Sequence, residues 1–366
     1  MCEAVSRDDS RLRIHPVQLS PGTLNRNLWY YRELPAVARQ LAADLVHISH
    51  PSPVNRTAFH CPTVVSLHDL YPLDIPSNFG FPKVLFNRAI LRQCLRAADV
   101  IACVSDSTRL RLGSRDPRKL QKAVTICNCV EPASRAAKPS LAEPWNGGAF
   151  FLCVAQHRRN KNIPLALQVF KRLLARGEID SSTRLLIVGM PGPESSRIRS
   201  LINESGLAQR VTLASGISDP ELQWCYRNCE LLLAPSIVEG FGLPVAEALL
   251  AGCRVVCSDI PAFREVGAEH CRFVRLCPGA EANFANAACE VLRERRPSPC
   301  PLPQLSAAVV AGQYMRLYHL LVAASRRSLP VDSLPLADRS DQNGLRVSPT
   351  QGSTAPSART GVARSL

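Results

Sequence analysis

Residues 231–252 read LLLAPSIVEGFGLPVAEALLAG: an apolar run, a Gly-Phe-Gly-Leu-Pro turn and an alanine-rich stretch. The apolar run predicts a buried strand, and the stretch after the turn predicts a helix. In open α/β sheets ligands bind beyond the carboxyl ends of the strands, where this turn falls. Pro244 suits the first position of a helix, where its missing N–H costs nothing, and Gly240 and Gly242 let backbone amides come close to a ligand. A helix N-terminus with bare amides is an anion site suited to a diphosphate, so Gly240, Phe241, Gly242 and Leu243 are read as a phosphate-binding turn. Glu247, one turn into the helix, is placed to accept the hydroxyls of a ribose. Glu239 then faces whatever the diphosphate carries. The bland alternative is that both glutamates only favour the helix dipole.

The same strand-helix text surrounds this stretch. Strands are expected at 149–155, 183–189, 210–215, 230–236 and 254–258, with helices at 163–176, 194–205, 219–227 and 244–252. This gives one doubly wound domain, residues 149–305. Upstream, DLVHIS (44–49), PTVVSLHDL (62–70) and DVIACVS (99–105) read as further buried strands, and 25–43 and 81–98 as helices, forming a domain over 1–135. The segments at 131–148 and 295–303, rich in Pro, read as linkers, and 306–327 as a terminal helix. Residues 328–366 carry few bulky apolar side chains and read as a disordered tail.

Two more groups of residues stand at predicted carboxyl edges. AQHRRNKNIPLAL places Arg158, Arg159 and Lys161 just before a helix, with Asn162 near its cap position, where cations reinforce one another on a phosphate pair. Taken alone, this is equally a solvated basic loop. His68 and Asp69 close the strand PTVVSLHDL and so face the cleft between the domains; a structurally satisfied histidine is the competing explanation. Ser105 is read mainly as a helix cap.

The chain of 366 residues is 46% apolar and 20% charged, which is a globular profile, and it has no apolar run of 18 residues and no signal-peptide pattern. A soluble, cytoplasmic protein is expected. The fifteen cysteines include no C-x-x-C pair, so a metal is not expected and most thiols are read as small buried hydrophobes. A net charge of +14 favours phosphate-bearing partners. Nucleic acid is disfavoured, because no zinc-finger spacing, aromatic RNA-binding run or dense basic block accompanies the charge. Arg88, Arg92 and Arg96, four apart on one helix, offer either a basic face for anionic lipid at the inner membrane surface or a merely solvated one.

Together these segments resemble family 4 of the retaining nucleotide-sugar glycosyltransferases over about residues 25–324. The likeness is carried by TVVSLHDLYPL, ADVIACVSDSTRLRL, VAQHRRNKNIPLAL, LIVGMPG and the long run from SGISDPELQW to PAFREVG, which contains the family's E-x7-E signature. The resemblance implies the GT-B fold, two Rossmann-like domains around a cleft. It also implies that Glu239 contacts the donor sugar, Glu247 the ribose, the Gly242 and Leu243 amides and Lys161 the diphosphate, and that His68 lies beside the transferred sugar. No metal or other cofactor is implied. The acceptor is expected to be a polysaccharide or lipid-linked glycan, and the sugar one such as mannose. Two departures are visible. Ala155 stands where many members carry an Arg, which leaves Arg158 or Arg159 to supply the second cation. The opening β/α units of the family are also not evident, so an incomplete N-terminal domain is expected. This keeps open a second reading, a nucleotide-sugar-binding protein without turnover; a phosphorylase or epimerase on the same fold is the weaker third.

Overall fold

The computed structural model describes residues 13–132, 135–140 and 148–329. Most of the expected tail, parts of the 131–148 linker and the first twelve residues lie outside these.

Two parallel sheets organise the chain. The first carries β1 (Val46–Ile48), β2 (Thr63–Leu67), β3 (Val100–Cys103) and β4 (Ala123–Thr125) in the order β1-β2-β3-β4. These strands read as near-continuous Val, Ile and Ala because both sheet faces are covered. Val65, Leu67, Ile101 and Cys103 pack under α1 (Thr23–Gln40), α3 (Lys83–Ala97) and α4 (Asp106–Arg115). Val64, Val100 and Ala102 meet α11 (Ala307–Arg326), the last described helix, which returns to this sheet and buries Val310, Leu317 and Leu321 on it. Each such side chain contributes about 1.5–3 kcal/mol of transfer free energy, so the terminal helix is part of the first domain's core. His47 of β1 fastens it, with Nε2 2.8 Å from the Ser66 hydroxyl and Nδ1 2.5 Å from the Tyr318 hydroxyl. No strand reversal occurs among the four strands. β1 is an edge, and α1 exposes Leu24, Leu28 and Tyr31.

The second sheet contains β5 (Phe150–Val154), β6 (Arg184–Val188), β7 (Val211–Ala214), β8 (Leu231–Ala234), β9 (Val255–Ser258) and β10 (Arg272–Val274). Its order is β10-β9-β8-β5-β6-β7, all parallel, which is the 3-2-1-4-5-6 order of a dinucleotide-binding sheet. Alternate residues of these strands serve opposite faces. Phe151, Cys153, Leu185 and Ile187 pack against α5 (Ile163–Ala175), α6 (Ser195–Glu204) and α10 (Ala280–Arg293). Phe150, Leu152, Leu186 and Leu232 pack against α7 (Asp219–Asn228), α8 (Leu243–Leu250) and α9 (Pro261–Gly267).

Three sequence expectations need correction. β4 and β10 add one strand to each sheet, and both are three-residue edge strands too short to signal themselves. The 295–303 segment is not a loose linker, since Cys300 N–H donates to Leu249 O and Arg296 holds the carbonyls of Cys229 and Tyr226 at 2.7 and 2.9 Å. The basic face on α3 is broken, because Arg88 Nε is tied to the Pro72 carbonyl at 2.7 Å while Arg92 and Arg96 stay exposed.

Candidate active site

The order of the second sheet reverses between β5 and β8, and a ligand crevice opens at such a switch point. The loops after these two strands run side by side, joined by Ile237 N–H to the Asn160 carbonyl at 2.7 Å. The β5 loop ends in one turn of 3-10 helix, Arg159–Lys161, and sends Lys161 across to the β8 loop. Lys161 Nζ lies 2.6 Å from Glu239 Oε1. Asn162 stands at the N-cap position of α5, as the sequence placed it, in a left-handed conformation (φ 51°) and without a side-chain cap hydrogen bond. Ala155 is buried, and Arg158 is the half-buried cation nearby, with its guanidinium 5.8 Å from the centre of the Phe79 ring.

Glu239 is itself buried, and the first domain holds it. Tyr71, the first residue of the short helix α2 (Tyr71–Asp74), donates its hydroxyl to Glu239 Oε2 at 2.7 Å. Arg111 of α4 donates to the Glu239 carbonyl at 3.1 Å and pairs with Asp74. Ser105 caps α4 as expected, accepting from Thr108 N–H at 2.9 Å, but its hydroxyl also donates to the Gly240 carbonyl, as does that of Thr108 at 2.9 Å. Asn78 bridges to Asn160 at 2.9 Å and to the Arg159 amide at 3.0 Å. Glu265 of α9 accepts from the amides of Asp106 and Ser107 at 2.8 and 3.0 Å, a carboxylate set on the positive end of α4.

The glycines of the turn do different work. A Cβ on Gly240 would lie 1.7 Å from the His68 carbonyl oxygen, so this glycine admits the other domain's backbone rather than a ligand. Gly242, at φ 114°, sets the turn into α8, with the Phe263 ring against it. Among the described residues nothing accepts from the amides of Gly242 and Leu243, which leaves them available to an anion. The Phe241 side chain is buried in the core with Val245 and Phe263, so Phe241 has only its backbone to offer the turn.

Glu247 accepts the Tyr226 hydroxyl at 2.7 Å. Burial holds its carboxyl above the usual range; the Tyr226 hydrogen bond works the other way, and the charge of Asp219 adds to the rise. His68 is exposed, its Nε2 2.8 Å from the Ser49 carbonyl. It lines a cavity of about 310 Å³ together with Arg26, His50, Asp69, Tyr71 and Arg158. Asp69, also raised by burial, accepts from the Tyr71 amide at 2.9 Å. Lys161 and Glu239 are therefore in contact. His68 and Arg158 share the neighbouring cavity, and Glu247 sits apart on the next turn of α8. Among the described residues no three or more His, Cys, Asp or Glu side chains gather as a metal site.

Comparison with known proteins meets this geometry at both halves. A family model described as Glycosyltransferase Family 4 matches residues 3–134, and one described as Glycosyl transferases group 1 matches 142–296. The chain belongs to glycosyltransferase family 4. Similar family members include an O-antigen chain mannosyltransferase B of Escherichia coli, 26% identical over 211 residues, covering 56% of this chain and 54% of the relative. An O-antigen chain mannosyltransferase RfbU of Salmonella typhimurium is 27% identical over 202 residues, covering 55% and 53%. The chain thus aligns with about half the length of these curated relatives. Among solved structures, a sucrose-phosphate synthase from Thermosynechococcus elongatus superposes at a TM-score of 0.63, with 18% identity and 87% of each chain covered. Anabaena HepE in complex with UDP and glucose gives 0.55, with 18% identity and 84% and 82% covered. These likenesses establish the GT-B fold.

Proposed function

We propose that the chain transfers a hexose, mannose being the favoured one, from a nucleoside-diphosphate sugar to a polysaccharide or lipid-linked glycan acceptor, with retention at the anomeric carbon. The observation that carries this reading is the Lys161–Glu239 pair at the switch point of a dinucleotide-type sheet, on the turn whose Gly242 and Leu243 amides have no acceptor among the described residues. Mannose is favoured by the names of the relatives, and a nucleotide-sugar donor by the UDP and glucose in the HepE complex.

In this reading the diphosphate lies on the Gly242 and Leu243 amides with Lys161 and Arg158, the ribose on Glu247, and the sugar against Glu239. As the bond from C1 to the diphosphate oxygen breaks, charge grows on the leaving diphosphate, where fixed amides and cations stabilise it most. The acceptor oxygen bonds to C1 from the same face, and its proton passes to the departing diphosphate. His68 stands at the cavity where the acceptor approaches. The cations and amides do the work of a metal, so none is required. The fourteen described cysteines are all free thiols, which suits a reducing, cytoplasmic site of action. Phe81, just before α3, and Leu85 and Phe86 on it are exposed near Lys83 and Arg92, a surface suited to peripheral contact with anionic lipid.

Release of nucleoside diphosphate from GDP-mannose or UDP-glucose tests the reading. Wild type is expected to release product and Glu239→Gln to lose nearly all of it. Equal rates would remove Glu239 from the site. Binding without release under every acceptor condition would instead support a nucleotide-sugar-binding protein that does not turn over.

A further inference from the structure

Glu239 is closed to a sugar in the arrangement described. Its side chain is 7% exposed, with one carboxylate oxygen on Lys161 and the other on Tyr71. The cavity on the first domain's side reaches Tyr71, and Glu239 is not part of its lining. A ligand hydroxyl can reach the carboxylate only after one of the two partners gives way.

The two differ in their freedom to do so. Lys161 is a point charge on a flexible stem, and a diphosphate, with more negative charge than a carboxylate, draws it away. Tyr71 is rigid: its ring is buried, it starts α2 four residues after the end of β2, and its amide is held by Asp69. A neutral phenol gains little from moving to a diphosphate. Burial, with the charge of Glu239 adding, also pushes the phenol's ionisation far above its usual range, so it stays a donor.

We infer that diphosphate binding pulls Lys161 off Glu239, and that Tyr71, reaching over from the first domain, then remains as the partner that aims the freed carboxylate at the hydroxyls of the donor sugar. Tyr71 is thus a positioning residue acting through Glu239; the inference rests on the donor-site reading above. One carboxylate thereby reports two events, arrival of the diphosphate through Lys161 and closure of the domains through Tyr71.

Calorimetric titration separates these contributions. The ratio of affinities for GDP-mannose and GDP, or for UDP-glucose and UDP if the chain prefers that base, isolates the part owed to the sugar. Tyr71→Phe is expected to leave the nucleoside-diphosphate affinity within about twofold and to lower the sugar's part about tenfold, the scale of one hydrogen bond to a charged group. In a Glu239→Gln background the same change is expected to do nothing further, since the two act as one unit. An unchanged or larger sugar contribution in Tyr71→Phe overturns the inference, the larger one by showing that Tyr71 plugs the site. An equal loss in both backgrounds overturns it as well. Tyr71→His, which keeps a ring donor and is expected to lose less, replaces the phenylalanine variant if that chain does not fold. A wild type that binds none of the four ligands overturns the donor-site reading itself; a wild type that binds, with no effect of Tyr71→Phe, overturns only the role of Tyr71.

Discussion

Gly240→Ala is expected to open the molecule at its signature turn. The new methyl carbon would lie 1.7 Å from the His68 carbonyl oxygen and 2.9 Å from its carbon, both backbone atoms that cannot rotate away. A tolerable C···O contact is about 3.3 Å, so the two backbones must separate by about 1.6 Å. Three of the hydrogen bonds that cross here measure 2.7 Å (Tyr71 to Glu239), 2.9 Å (Thr108 to the Gly240 carbonyl) and 3.1 Å (Arg111 to the Glu239 carbonyl). A separation of that size takes them beyond hydrogen-bonding distance. At about 1 kcal/mol for each of the three, and somewhat more where a carboxylate or guanidinium takes part, closure loses about 3–5 kcal/mol, or about 100- to 4000-fold in the population of the closed form. The second domain keeps its own core. Nucleoside-diphosphate affinity is therefore expected to change little, while turnover falls by two orders of magnitude or more and paired spectroscopic labels on the two domains report a longer separation. Turnover at the wild-type rate refutes the reasoning, as does lost nucleotide affinity with the domains still closed.

Three further outcomes are expected. Lys161→Ala should weaken nucleoside-diphosphate binding about 10- to 100-fold by calorimetry and lower the melting temperature, because Glu239 loses its cation in a buried setting. Glu265→Gln should cost about 1–2 kcal/mol in denaturant unfolding, since the charge on the α4 amides is lost; a change under about 0.3 kcal/mol contradicts that. Burial, with His68 adding, holds the His47 imidazole below its usual 6.5, so folding favours the neutral ring. That stability is complete above pH 6.5 and is lost as pH falls from there through the folded value. The melting temperature should fall on acidification below pH 6.5, and His47→Gln should flatten that slope, with His50 and His157, lowered in the same direction, supplying the remainder.

The sequence showed the strands that are buried on both faces. VV (64–65), VIACV (100–104), FFLCV (150–154) and LLLA (231–234) are apolar runs because helices cover them above and below. It did not show β4 or β10. β10 presents Arg272 exposed and Phe273 half-buried at a sheet edge, and three residues with one buried member carry no period. The Lys161 and Glu239 positions were legible because each follows a strand of the same sheet, where backbone order alone brings their loops together. Tyr71, Arg111, Asn78 and Glu265 were not, although HDLYPL and PAFREVG were in plain view. Their partners lie across the domain interface, more than 80 residues away in the chain, and no local spacing encodes which faces meet. The close approach of the His68 carbonyl to Gly240 was not legible either, because a turn rich in glycine looks alike whether a ligand or another backbone approaches it.

The most direct test of the donor site is calorimetric titration of the wild-type chain and Lys161→Ala with GDP and UDP. Micromolar binding of one of them by the wild type, weakened at least tenfold by the substitution, is the result expected. Absence of binding to either, or binding that does not depend on Lys161, would contradict a nucleoside-diphosphate site at the Lys161–Glu239 pair.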